Sequence, residues 1–222
     1  MKKSSLSALL IFLGCSGLFA QSKDFGIWYS AGGSLPITNY LDFKLEGDIR
    51  TFEDASKINE GFGEAGLYLQ TFRFLSVGAA YRLTSKIEND NKHYLRHKLL
   101  FDLRGRTSIA RFGLSCRLRY ERQVKTYINS LNDLSPDKYG RIKLEANYNI
   151  RKSKFEPVVY YETFYRIFET TDRHLEKYRL SFGMDYKITK KQKINISYIF
   201  QRDWVPDFVD TNIISLSFNF KI

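Results

Sequence analysis

The chain has 222 residues, of which 43% are hydrophobic, 16% are aromatic and 27% are charged, and its net charge is +11. After residue 20 no apolar stretch is long enough for a membrane-spanning helix, which excludes a helical protein of the inner membrane. No low-complexity linker divides the sequence, so we expect one folded domain after the N-terminal segment.

The first 20 residues have the organisation of a secretory signal peptide. Two lysines form a basic start, a short apolar run follows, and Ala20 precedes Gln21. The apolar run is too short to span a bilayer as a helix, and a small residue at position 20 suits cleavage. We predict a signal peptide over 1–20 and a mature domain over 21–222. Lipidation at Cys15 is the alternative for this N-terminus.

An export signal narrows the partners that the basic charge suggests. An exported chain rarely meets nucleic acid, so we expect its cations to face anionic lipid headgroups or a basic lumen. Cleavage leaves Cys116 as the single cysteine of the mature chain, which excludes an internal disulfide. We predict no cofactor, because the sequence has no recognisable phosphate-binding loop and no thiolate metal site.

Alternation of apolar and polar residues predicts β-strands along nearly the whole mature chain. Successive side chains of a strand point to opposite faces, so each alternating segment has one apolar and one polar face. The segments, in chain order, are Phe25 to Gly33, Leu41 to Thr51, Phe62 to Gln70, Leu75 to Thr84, Leu95 to Arg104, Ala110 to Arg122, Gly140 to Ile150, Phe155 to Ile167, Leu175 to Lys187, Lys193 to Arg202 and Thr211 to Ile222.

The connections between these segments alternate between short and long. Short basic turns such as Gly105–Ser108 and Arg151–Lys154 are followed by longer connections, which include Phe52–Glu60, Gln123–Tyr139 and Asp203–Asp210. Strands of about ten residues with short turns on one side and long loops on the other are typical of outer-membrane barrels. The sequence therefore predicts an all-β fold, an antiparallel transmembrane β-barrel. A soluble β-barrel or sandwich is the alternative.

The number of strands is ambiguous at this level. The alternation marks about eleven segments, whereas bacterial single-chain barrels have an even number of strands. Either Phe25 to Gly33 is not a full strand or one break is hidden, so we expect about ten to twelve strands.

Four stretches of the chain resemble a bacterial family of outer-membrane β-barrels, the domain of unknown function 2490. They are Asp24-Phe25-Gly26-Ile27-Trp28, the charged segment Leu41–Arg50, Tyr81-Arg82-Leu83 and Tyr198-Ile199-Phe200-Gln201-Arg202-Asp203. The resemblance covers essentially the whole mature chain. It implies the barrel fold and an outer-membrane location, and it implies no activity, because the family has no assigned chemistry.

The polar faces of the segments predict the lining of the lumen. If positions pair symmetrically about each short turn, Glu64 faces Arg82, and Lys143 faces Glu162. Opposite charges on neighbouring strands attract each other, so we predict these two pairs as lumen ion pairs.

A basic wall is predicted where the same rule is applied around Gly105–Ser108. It places Arg104 opposite Arg111, Lys98 opposite Arg117 and Arg96 opposite Arg119. Like charges directly opposite are destabilising, so the wall needs compensation. The compensation comes either from an anionic guest or from carboxylates that reach across the lumen, for which the candidates are Glu46, Glu145 and Glu162.

An enzyme hypothesis depends on the histidines, since outer-membrane lipid hydrolases use a Ser–His pair. The chain has three, His93, His97 and His174. His97 falls on the apolar face of its segment near the outer end, where lipid chemistry or a rim position at headgroup level would suit it. No serine stands in a recognisable nucleophile motif. We therefore predict no enzyme activity and no metal site, with a lipid-modifying hydrolase as the alternative.

The predicted role is that of a barrel in the outer membrane, which the chain reaches by export to the periplasm. The barrel is structural, or it passes or binds small solutes, with anions among the candidates. Its expected partners are outer-membrane lipids and the barrel-assembly machinery, which would recognise the C-terminal segment Thr211 to Ile222. The sequence leaves the oligomeric state open.

Overall fold

A computed structural model describes residues 24–88, 91–126, 137–167, 173–204 and 208–222. The predicted signal peptide and its cleavage site lie outside these residues. Within them the chain forms eleven strands, β1 (Asp24–Pro36), β2 (Leu41–Phe52), β3 (Lys57–Phe72), β4 (Leu75–Ile87), β5 (His93–Ile109), β6 (Phe112–Lys125), β7 (Asp137–Tyr148), β8 (Phe155–Ile167), β9 (Arg173–Lys187), β10 (Gln192–Asp203) and β11 (Val209–Lys221).

The strands form one sheet that closes into a barrel. Each strand pairs antiparallel with its neighbours in sequence, and β1 closes the barrel by pairing with β11 in parallel. The parallel seam runs from Asp24 opposite Thr211 to Ser34 opposite Lys221. No helix in the described part of the chain is long and apolar enough to cross a membrane.

The expectation of an even strand number was wrong. The segment that we read as Phe25 to Gly33 is a full strand of 13 residues, and it runs in the same direction as β11. An odd number of strands can close a ring if one pair is parallel, and the β1–β11 seam is that pair. The rule of an even strand number holds for purely antiparallel barrels and therefore does not apply here.

Successive connections between strands lie at opposite ends of the barrel. We call the end that carries the β1–β2, β3–β4, β5–β6, β7–β8 and β9–β10 connections the turn end, and the opposite end the loop end. Asp24 lies at the loop end and Ile222 at the turn end, because β1 and β11 both run toward the turn end.

One connection predicted to be long is a tight turn. We expected a loop over Phe52–Glu60, but β3 begins at Lys57. Glu53, Asp54 and Ala55 all have positive φ angles, of 50°, 55° and 62°. This left-handed backbone is uncommon outside glycine, and it lets the chain reverse within a few residues.

The outer face of the barrel is apolar and the inner face is charged. Leu118 and Phe182 point outward and are 44% and 56% exposed. Arg119 and Glu162 point inward and are only 4% and 3% exposed. A soluble sandwich would place these residues the other way round, with apolar side chains inside.

Aromatic pairs on the outer face lie toward both ends. Near the turn end, the ring centroids of Phe112 and Tyr148 lie 4.8 Å apart, and Phe155 and Tyr186 form a similar pair at 5.0 Å. Near the loop end, Tyr178 packs on both Phe200 and Trp204. A further pair, Phe101 and Tyr120, lies in the middle of the wall, so aromatic rings occur along the whole height of the outer face.

Candidate functional site

The interior of the barrel is crossed at mid-height by six inward-pointing arginines, which we call the arginine girdle. They come from five different strands and are Arg50, Arg82, Arg117, Arg119, Arg141 and Arg179. Because alternate residues of each strand point inward, an arginine at an inward position of each of these strands places its side chain in the lumen.

Arg119 is the most completely paired member of the girdle. Its guanidinium donates two hydrogen bonds to Asp102, with Nε to Oδ1 at 2.6 Å and Nη2 to Oδ2 at 2.8 Å. It also donates to Glu64 across the lumen, at 3.3 Å. Glu64 accepts two further bonds from Arg82, at 2.8 and 2.5 Å. A bidentate pair of this kind fixes both position and orientation of the arginine.

Glu162 binds the other side of the girdle. Its carboxylate oxygens lie 2.7 Å from Arg117, 2.9 Å from Arg141 and 3.9 Å from Arg179. These three arginines come from β6, β7 and β9 and converge on one acid of β8. Removing a charge from water is costly unless the charge is paired. Glu162 therefore offsets the cost of burying three guanidinium groups at once.

Three aromatic rings alternate with the arginines around the lumen. Trp28 lies between Arg50 and Arg179, whose guanidinium carbons are 4.1 and 4.7 Å from its ring centroid. Phe62 packs under Arg82 at 3.8 Å, and Phe164 packs under Arg141 at 4.4 Å. Cation–π contacts with desolvated guanidinium groups are worth about 2 kcal/mol each. The girdle is therefore a packed layer rather than a ring of free charges.

The girdle separates cavities on its two sides. A cavity of about 520 Å³ opens toward the loop end, and one of about 350 Å³ lies toward the turn end. The residues that line both cavities are Trp28, Arg50, Arg82, Arg141 and Arg179. Four arginines of the girdle, with Trp28, thus lie at the boundary between the two cavities.

The comparison with known proteins gives a family. A family model described as a protein of unknown function (DUF2490) matches residues 25–212, from the start of β1 into β11. The chain belongs to this family. The search of the curated proteins found no match. The barrel with its internal girdle is thus the fold of a DUF2490 protein.

Both of the predicted lumen pairs of this DUF2490 protein are cross-strand neighbours. Glu64 lies opposite Arg82, and Lys143 lies opposite Glu162. The ion pair between Glu64 and Arg82 forms as predicted. The amine of Lys143, however, pairs with Glu145 at 2.7 Å, because three arginines occupy Glu162.

The predicted register of the basic wall was wrong. The hairpin turns at Ala110 and Arg111, so Arg111 lies exposed in the turn and outside the wall. The actual partners are Arg104 with Arg117, Lys98 with Gln123 and Arg96 with Lys125. The physical reason is that β5 continues to Ile109, beyond the glycine that we read as part of the turn.

Carboxylates compensate the remaining five members of that wall. Lys98 pairs with Glu121 at 3.0 Å, Arg104 pairs with Asp102 at 2.7 Å, and Arg96 pairs with Glu88. Arg117 and Arg119 belong to the girdle. Asp102 is an acid of the site that was not predicted, although it occupies an inward position between Lys98 and Arg104 in the same alternating segment.

The histidines lie away from the girdle. His97 points outward, as predicted, and its Nδ1 forms a hydrogen bond with the hydroxyl of Tyr81. A second contact was not anticipated: the Ser85 hydroxyl lies 3.5 Å from Nδ1 of His93 near the loop end. His174 lies in β9, and its side chain is outside the described residues. No metal-binding group of His, Cys, Asp or Glu occurs among the residues that the structure describes.

Proposed function

We propose that this DUF2490 protein is an outer-membrane β-barrel whose lumen is closed to free passage of solutes by the arginine girdle. The observation that carries the proposal is the pairing of the girdle with acids: each of its six arginines has a carboxylate oxygen within 4 Å. Passage of a hydrated ion through this layer would require ion pairs and their contacts with aromatic rings to separate, which is energetically costly.

The apolar exterior supports a membrane location. Exposed leucine and phenylalanine side chains cover the middle of the wall, and aromatic pairs flank it. Outer-membrane lipids would cover this surface and so be the first partner of the protein. The predicted signal peptide, 1–20, would deliver the chain to the periplasm. The loop end would face outward and the turn end inward, as in other barrels with short periplasmic turns.

Assembly in that membrane would begin from the C-terminal segment, Thr211 to Ile222. Its outward residues include Leu216, Phe218 and Phe220, and it forms the parallel seam with β1. We propose this segment as the one that the barrel-assembly machinery recognises. Because the girdle holds no reactive pair, we propose a structural or anion-binding role and no enzyme activity.

The location is tested by fractionation of cells that express the full chain. We expect the mature protein to begin at Gln21, to accompany the outer membranes, and to run differently on a denaturing gel before and after boiling. Recovery of most of the protein in the soluble periplasmic fraction would overturn the membrane proposal.

A lipid-modifying hydrolase is the second candidate, and the contact between Ser85 and His93 is the observation that favours it. A serine beside an imidazole is the minimal nucleophile and base of acyl transfer. If this candidate were correct, reconstituted protein would release fatty acid from phospholipid, and Ser85→Ala and His93→Ala would both abolish release. His97→Ala tests the outward histidine in the same assay.

A further inference from the structure

The turn end of the lumen contains a cavity of about 460 Å³ whose walls are strongly cationic. We call it the turn-end vestibule. Two of its lining residues are carboxylates, Glu46 and Glu64. Seven are cations: Lys44, Arg104, Lys187, Lys190, Lys191, Lys193 and Lys221.

Only part of this positive charge is compensated. Lys193 pairs with Asp185 at 2.8 Å, Lys187 pairs with Glu156, and Arg104 pairs with Asp102. No carboxylate among the described residues forms an ion pair with the other four cations, which are Lys44, Lys190, Lys191 and Lys221.

The two acids of the vestibule do not balance that excess. Glu64 is engaged by Arg82 and Arg119 of the girdle, so its charge is already used. Glu46 is exposed and forms no ion pair with any residue that the structure describes. The vestibule therefore carries a net positive charge, with Lys44 half-buried in its wall and Lys190 and Lys191 exposed at its mouth. A cleft lined by one sign of charge raises the local concentration of counter-ions.

Tyr68 gives the vestibule a fixed floor. Its ring lies against Gly78, where an added Cβ atom would stand only 2.2 Å from a ring carbon. The Tyr68 hydroxyl donates to Asp102 at 3.3 Å and accepts from Arg104 at 3.4 Å. The Lys44 amine lies 4.3 Å from the ring centroid, so the ring also positions one of the four cations that lack a carboxylate partner in the described part of the chain.

A second cavity continues the basic surface. It has a volume of about 380 Å³ and shares Arg104 and Lys193 with the vestibule. It adds Arg106, Arg117 and Lys143 to the lining, with Glu145 as its carboxylate. The two cavities together can accommodate a ligand larger than a single inorganic ion.

We propose that the turn-end vestibule binds a small phosphorylated molecule. Several flexible lysines act as point charges around a compact oxyanion of more than one negative charge, which is the chemistry of a phosphate group. The ligand would enter from the turn end, because the girdle closes the opposite side. The entry route rests on the proposed function, that is, on the closed girdle and on the side of the membrane assigned to the turn end, whereas the binding itself does not.

The test is calorimetric titration of the refolded full-length mature chain in zwitterionic detergent with inorganic pyrophosphate. We expect saturable binding that weakens as ionic strength rises. The double variant Lys44→Gln with Lys191→Gln should bind about tenfold more weakly, since each loses a charged contact. The matched control, Lys152→Gln with Lys154→Gln, removes two cations of the same end that do not line the vestibule, and its affinity should not change.

A variant that should bind more tightly controls for loss of binding through misfolding. Glu46→Gln removes the unpaired acid of the vestibule and should tighten pyrophosphate binding. Absence of saturable binding, an equal loss in the control variant, or no change with Glu46→Gln would each overturn the proposal. Boiling-dependent gel mobility verifies that each variant is folded, so failure of the barrel itself is seen separately.

Two further titrations distinguish the sources of the phosphate. Competition by glucose 6-phosphate in the same detergent would identify a soluble phosphate ester as the ligand. Competition by phosphatidic acid in mixed micelles, without competition by the sugar phosphate, would identify a lipid headgroup. Both results support a phosphate site, whereas competition by neither would contradict it.

Discussion

Glu162 on β8 lies within 2.7 to 3.9 Å of arginines from three other strands. At the scale of single residues, contacts of this kind determine which charges in the lumen are paired. One acid neutralises several guanidinium groups, and Asp102 and Glu64 do the same on the opposite side. A few shared carboxylates thus pair most of the arginines in the interior, so removal of one carboxylate would leave several arginines without that partner.

Gly78 gives a test of packing at this scale. Gly78→Ala would place a methyl group 2.2 Å from the Tyr68 ring, so the ring must move and the free energy of unfolding should fall by about 1–3 kcal/mol. Urea unfolding in detergent, followed by intrinsic fluorescence, measures the change. The matched control is Gly63→Ala, because no atom lies within 4 Å of its added Cβ. Equal stability of the two variants would contradict the placement of Tyr68.

Sequence patterns predict the facing of single residues well and their partners less well. Alternation correctly placed Glu64 opposite Arg82, because that pair belongs to neighbouring strands joined by one tight turn. Of the three carboxylates proposed to reach the basic wall, Glu162 does so, because it bonds to Arg117 across the intervening strand β7. Alternation alone could not distinguish it from Glu46 and Glu145. Contacts across the lumen depend on how the whole sheet closes, and no local pattern records that closure.

At the scale of strands, the outer and inner faces follow the alternation along β6. Leu118 points outward at 44% exposure, while Ser115 faces Glu145 on the neighbouring strand. The register of the β5–β6 hairpin was nevertheless mispredicted. Gly105 and the three polar residues after it resemble a turn, but Arg106, Thr107 and Ser108 pair with β6 and continue β5 to Ile109.

Charge substitution distinguishes the two faces. Leu118→Arg should impair assembly, because an arginine near the midplane of the lipid face costs about 2–4 kcal/mol. Ser115→Arg should be mild, because the new cation would face Glu145. Folding yield into liposomes, measured by boiling-dependent gel mobility, compares the two. Similar yields would show that the assignment of faces is incorrect.

The parallel seam between β1 and β11 is tested by crosslinking. Ser30 and Ser217 are direct partners across it, and their hydroxyl oxygens lie 2.7 Å apart. In a Cys116→Ser background, Ser30→Cys with Ser217→Cys should form a disulfide on oxidation, since paired strands bring Cα atoms to a suitable separation. A shift in gel mobility that reducing agent reverses would reveal the bond. Failure to crosslink would indicate a ten-strand barrel without β1 in its wall.

At the scale of the whole molecule, the seam explains why the strand number could not be predicted. Whether Asp24–Pro36 joins the wall depends on the edge that β11 offers, at the far end of the sequence. The same closure gives the barrel two unlike compartments: a charged cavity at the loop end and the cationic turn-end vestibule. We propose that the arginine girdle blocks passage of solutes from one end of the lumen to the other.

Closure of the lumen by paired charges can be tested at Glu162. The variant Glu145→Gln with Glu162→Gln leaves Arg117, Arg141 and Arg179 without their shared acid. Repulsion among them should loosen the girdle, and the unpaired charge should attract anions. Glu145→Gln alone is the control, because its carboxylate pairs with Lys143 outside the girdle.

Planar-bilayer recording of these three proteins is the most direct measurement. We expect very low conductance for the native barrel and for Glu145→Gln, and a raised conductance that prefers anions for the double variant. A large, steady conductance through the native barrel, or a double variant that conducts no more than the native protein, would contradict the closed girdle.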